Sequence, residues 1–213
     1  MILKYNFCVP AAQHLADLTG IAQDIDYAIN FCNLHIELDP EKPGLNVHDL
    51  MRIEFTRMAL SRATLITYGR CWMTGVRQGL SESVLARLTP LNKVRHDHVM
   101  DIRSRWVAHS VNHFDDVSVL AVIDNFFEPA QVTVQVQSQS VAGFRQTFML
   151  EVRELFLEMQ KIVRDDIYAE NVKVEIVART MTLDAIIQGG EIPAMGNRND
   201  GVFTPNRKAM RFK

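Results

Sequence analysis

Residues 15–36 read LADLTGIAQDIDYAINFCNLHI, and the apolar positions in this run decide the fold class. Leu15, Leu18, Ala22, Ile25, Ile29, Cys32 and Ile36 recur every three or four residues, which gathers them on one face of a helix. Pro10 suits a first helical turn, so the helix is expected from Pro10 to about Leu38. Gly20 costs helix stability, yet the periodicity runs through it. The cluster Asp39-Pro-Glu-Lys-Pro-Gly44 breaks the pattern and reads as a loop.

The same periodicity recurs downstream. A second helix opens at Asn46, with Asp49 in its first turn, and runs to about Trp72 through Leu50, Ile53, Met58, Leu65 and Tyr68. Its other side carries Arg52, Arg57, Arg62 and Arg70, which read as a solvated face or internal ion pairs before a phosphate track. A short helix is expected from Ser81 to Leu88. Thr89-Pro90 then starts another, carried by Val94, Val99, Ile102 and Trp106 to about His109.

After Asp116 the period changes. Val117 to Ile123 is β-rich, and Gln131 to Gln137 alternates strictly, so a hairpin is expected over about 117–137, joined through residues 125–129. Two strands alone are marginal in water, so the hairpin should lean on the helices or on a partner. A third long helix is read from Ser140 to about Tyr168, with Phe148, Val152, Leu155, Met159, Ile162 and Ile167 as its buried stripe. Residues 172–188 form a further helix, although Val172, Val174, Ile176 and Val177 would also suit a strand. From Gly189 onward five basic residues stand against two acidic ones, and periodicity is lost; this reads as an extended basic tail over 189–213.

The expected architecture is therefore mainly α, one helical domain over 1–188 with an inserted hairpin. A chain of 213 residues, 47% apolar and 23% charged, fits one globular core. The net charge of −2 excludes a diffuse electrostatic nucleic-acid binder, so any RNA contact must be local. Cys8, Cys32 and Cys71 have no metal-ligand spacing, and His96 and His98, two apart, point to different helix faces; no metal or cofactor is expected. Neither a signal peptide nor an apolar membrane span is visible, which makes a cytoplasmic location the plain expectation.

One stretch carries chemistry. Arg103-Ser-Arg-Trp-Val-Ala-His-Ser110, followed by Val111-Asn112, places Arg103, Arg105 and His109 where a helix is expected to end. A guanidinium holds a phosphate with a rigid fork of donors, and an imidazole moves a proton near neutral pH. In an unbroken helix Arg103 and His109 would be about 240° apart around the axis, whereas Arg105 would share the face of His109. The plain alternative is that His109 and Ser110 cap the helix carbonyls while Arg103 pairs with Asp101 or Asp115.

This stretch resembles the Arg-x(4–6)-His signature of the HEPN superfamily, with five residues between Arg103 and His109 and the same Ala-His-Ser run. Ser104 stands where the family favours Asn, Asp or His. The resemblance covers about residues 60–116 and implies a helical bundle with the motif near the end of a core helix. It further implies a metal-independent endoribonuclease acting as a homodimer, often a toxin or abortive-infection protein with a possible antitoxin or other protein partner. In that scheme Arg103 and His109 are catalytic, and Ser104, Arg105, Ser110 and Asn112 contact RNA. A non-catalytic helical adaptor of the same fold is the competing reading; it has no need of His109.

Overall fold

The computed structural model describes residue 7 and residues 9–73, 77–107, 115–124, 131–140 and 143–189. Helix α1, Pro10–Glu37, packs along α2, Val47–Arg70, and along α5, Gln146–Thr180. Between α2 and α5 come the one-turn α3, Glu82–Leu85, then α4, Pro90–Ile102, and the hairpin of β1, Asp115–Asp124, and β2, Gln131–Ser140. A short α6, Leu183–Gly189, follows α5. The protein is mainly helical with one two-stranded antiparallel sheet. No helix among the described residues is long and apolar enough to cross a membrane.

The core forms where the periodic faces meet. Ile21, Ile25, Ala28 and Cys32 of α1 face Leu65 and Tyr68 of α2 and Met149, Val152, Leu155, Phe156, Met159 and Val163 of α5. Leu18, Ala22, Ile25, Ile29 and Cys32 are buried, as the spacing requires. At the start of α2 the Asn46 side chain accepts from the Asp49 amide at 2.9 Å, satisfying one of the free donors of the first turn. Thr89 makes no such cap for α4. Glu158 of α5 takes that role, accepting from the Thr89 amide at 2.9 Å, from its hydroxyl at 3.0 Å, and from Asn92.

The arginines of α2 are engaged within the molecule. Arg52 meets Asp49 at 3.4 Å, and Arg70 meets Asp24 at 3.7 Å. Arg62 lies 5.1 Å over the Trp106 ring. Arg57 is buried, with Glu54 and the Phe144 carbonyl each at 3.2 Å.

The third long helix departs from the sequence reading at both ends. Ser140 belongs to β2, so the third long helix starts six residues later, at Gln146. Between them Gly143 adopts φ +117°, and a Cβ there would stand 3.2 Å from the Met58 amide nitrogen, so both its torsion and its contact demand glycine. The second departure is that α5 does not stop near Tyr168. It continues to Thr180, absorbing most of the segment whose valines also suited a strand. No glycine or proline interrupts residues 146–180, and the later turns carry side-chain pairs at helical spacing: Glu170 with Lys173 at 2.8 Å, Asn171 with Glu175 at 3.1 Å, and Glu175 with Arg179 at 3.7 Å. Such pairs and the burial of Val174 outweigh a small β preference. The hairpin forms where expected but is longer, 115–124 against 131–140. Its connecting residues and the basic tail from residue 190 lie outside the described residues.

Candidate functional site

Helix α4 does not run as an α-helix to His109. From Arg103 to Val107 it widens into a π turn. A π turn closes hydrogen bonds one residue further along than an α turn, so it changes the angular phase of everything beyond it. The α-helical argument that put Arg105 on the face of His109 therefore does not carry through this turn. His109, Ser110 and Asn112 lie outside the described residues, as does the Asp115 side chain. The turn is anchored by Trp106, which is buried, edge-on to Phe144 at 5.0 Å and covered by Arg62.

The two arginines of the motif have different surroundings. Arg105 is exposed, and its Nε donates to Asp101 at 2.8 Å, four residues back. Ser104 donates its hydroxyl to the Asp101 carbonyl at 2.9 Å. Arg103 is half-buried against the last turn of α2. A Cβ on Gly69 would lie 3.0 Å from its Nε, 3.4 Å from Cδ and 3.5 Å from Cγ, so the absence of a side chain at Gly69 opens the slot it occupies. Its Nη2 contacts the Met73 sulfur at 3.3 Å, a weak acceptor, and its buried Nε has no hydrogen-bond partner. Among the described residues Arg103 meets no carboxylate, and Asp101 is taken by Arg105.

Beneath Arg103, two turns back on the same face of α4, His96 faces α2. Its Nδ1 lies 2.7 Å from the Tyr68 hydroxyl, and its ring is 4.5 Å from Trp72. Burial holds the His96 imidazole below its usual range, only partly offset by Asp97, and pushes the Tyr68 phenol upward. This is a neutral, buried tyrosine–histidine pair that fixes α4 against α2. No local signal marks this pair, because Tyr68 and His96 are 28 residues apart and each sits on an ordinary apolar stripe. His98 turns away and stacks edge-on to Phe148 at 5.7 Å, so the two histidines do not converge. No group of three or more His, Cys, Asp or Glu among the described residues is arranged to hold a metal ion. Tyr68→Phe is expected to lower stability by about 1–3 kcal/mol, because His96 would keep its burial and lose its partner. Urea melts of the two proteins check this; equal midpoints and slopes would show that the bond contributes nothing.

A concavity of about 240 Å³ lies between α1, α3 and α5, and none of its walls comes from α4 or the π turn. Its carboxylates are already engaged. Asp17 accepts from Gln13 at 2.9 Å and from the Gln78 amide at 3.0 Å, Glu170 holds Lys173 at 2.8 Å, and Asp166 holds Arg87. Of these, the bonds from Gln78 and Arg87 tie the chain on either side of α3 to the long helices. Comparison of the chain with protein-family models, curated proteins and solved structures gave no match.

Proposed function

We propose that the protein is an endoribonuclease of HEPN type that cleaves RNA without a metal ion, through Arg103 and His109, in a cleft shared by two copies. The observation that carries this reading is Arg103. Its guanidinium meets no carboxylate among the described residues, has an unsatisfied buried Nε–H, and sits in the first position of a π turn, a distortion that is frequent at functional sites. A donor set of that kind suits a phosphate oxygen.

The chemistry balances without a cofactor. The RNA 2′-hydroxyl attacks the adjacent phosphorus, the bond to the 5′-oxygen breaks, and a 2′,3′-cyclic phosphate and a 5′-hydroxyl result. His109 transfers the proton, and Arg103 stabilises the added charge on the phosphoryl oxygens. Arg105 is a secondary phosphate contact. An exposed pair such as Arg105–Asp101 contributes about 0–1 kcal/mol, so a phosphate can compete for that guanidinium. Ser104, Ser110 and Asn112 supply polar contacts to the strand. With two copies of residues 101–113 near a twofold axis, one copy's arginine can serve the other's histidine. A toxin or defence role in the cytoplasm, with an antitoxin as partner, follows from the same resemblance.

The direct test is incubation of purified protein with single-stranded RNA in EDTA, followed by end analysis. Cleavage with cyclic phosphate ends is the expected result. Intact RNA across a range of sequences would leave the adaptor reading, in which the π turn and hairpin serve a protein partner.

A further inference from the structure

The hairpin exposes an apolar face that nothing in the described molecule covers. In its register Val119 pairs with Val136, Ala121 with Val134, and Ile123 with Val132. Cross-strand partners project to the same side of a sheet, so these six form one face. The four valines and Ile123 are 60–72% exposed, and Ala121 is exposed too. No charged residue occurs over 117–123 or 131–140. Exposed β-edges are ordinarily protected by charge, and a two-stranded ribbon is marginal in water until one face is buried.

We infer that this face is covered by the same face of a second copy, stacked about a twofold axis that runs parallel to the strands. Two observations select that occupant. The six positions carry no charge with which to recognise a charged partner, and none to oppose their own copy; Asp115, on the same side, stands at the end of the strand. The face is also self-complementary in shape. The twofold sets Ala121 opposite Val134 of the second copy, and Val134 opposite its Ala121, so the one small side chain on the face receives a large one. Val119 then meets Val136, and Ile123 meets Val132. A twofold axis across the strands would instead set alanine on alanine and leave a gap.

The five-residue stretches 119–123 and 132–136, at about 3.4 Å per residue and two abreast at about 4.8 Å, give a face of about 160 Å² per copy. That is about a fifth of the roughly 800 Å² per partner of a standard interface, so the dimer should be weak and form only towards the upper end of the micromolar range. The axis also sends both chains out of the stack at the same end, about 10 Å apart. Eight peptide steps from Val107 to Asp115 reach at most about 28 Å, which keeps both π turns on that side. This last consequence rests on the shared-cleft reading of the function; the stack does not.

The test is molecular mass by light scattering from about one to about 100 micromolar, without RNA, so that absence of nuclease activity has no bearing on it. Wild type should pass from monomer to dimer across this range. Val134→Lys should remain monomeric with unchanged helical circular dichroism. Ala121→Val makes the face more apolar but places valine on valine twice per dimer, and should weaken association at least tenfold. The exchange Ala121→Val with Val134→Ala restores large against small and should return the dimer to within a few-fold of wild type. A monomeric wild type at 100 micromolar, or tighter association by Ala121→Val, overturns the inference.

Discussion

His109→Ala and Arg103→Ala are each expected to lower the rate of the proposed RNA cleavage about a hundredfold or more, the loss typical of removing a proton-transfer group or a charge-stabilising donor. Arg103→Lys falls nearly as far, since an ammonium keeps the charge and loses the planar fork. Arg105→Ala should cost less than about tenfold, because its guanidinium is exposed and shared with Asp101. This contrast is the sharpest feature of the proposal: two arginines, two positions apart, with unequal effects fixed by their surroundings. Gly69→Ala adds a test that stability cannot mimic. Alanine is the better helix former by about 1 kcal/mol, yet its Cβ would press on the Arg103 Nε at 3.0 Å and shift the guanidinium. The expected protein is at least as stable as wild type and less active. Initial rates on one RNA substrate across the five variants check the series. His109→Ala at the wild-type rate would end the catalytic reading, and equal losses for Arg103→Ala and Arg105→Ala would remove the distinction drawn between them.

How much of this was legible in the sequence depends on how local the cause is. The α1 stripe, the Asn46 cap and the strict alternation of β2 each rest on a few neighbouring residues, and each was read correctly from them. The sequence reading has a helix over 172–188 but parts it from the one that ends near Tyr168; the turns that join them are held by side-chain pairs that exist only once the helix has formed. The start of α4 at Thr89-Pro90 is legible, but the acceptor that serves it, Glu158, lies 69 residues away. The π turn has no glycine, proline or other local mark. The arginines of α2 read as a solvated face or internal ion pairs, and Arg52 and Arg70 are both exposed and paired, but the burial of Arg57 beneath Phe144 depends on where the chain returns from the hairpin. Within the candidate site, residue types were visible in sequence; the inequality of Arg103 and Arg105 was not, because Gly69 lies on another helix and Met73 just beyond its end.

Acid should destabilise the protein through a residue far from that site. His35, in the last turn of α1, is fully buried with neither ring nitrogen hydrogen-bonded among the described residues. Burial first, and then the nearby Arg57 guanidinium, hold its pKa down from the ordinary 6.5 to about 4; the Phe144 backbone opposes this in part. Above pH 6.5 the imidazole is neutral in both folded and unfolded chains and contributes no pH dependence. As pH falls from 6.5 towards 4, the unfolded chain takes up a proton that the folded chain refuses, so stability drops, reaching about 3 kcal/mol of loss below pH 4. Most of that loss is complete by pH 4.5. His96 is shifted in the same direction and adds to the slope, so wild type alone does not isolate His35. The comparison with His35→Leu does, because every other titrating group is common to both proteins. At pH 7.5 the variant should be about as stable as wild type or slightly more so, since a buried polar group without partners is replaced by an apolar one. By pH 4.5 it should be the more stable protein by about 2–3 kcal/mol in urea melts. Parallel stability curves for the two proteins between pH 7.5 and pH 4.5 would show that His35 takes its proton in the folded state as readily as in water, which its enclosure beside Arg57 forbids.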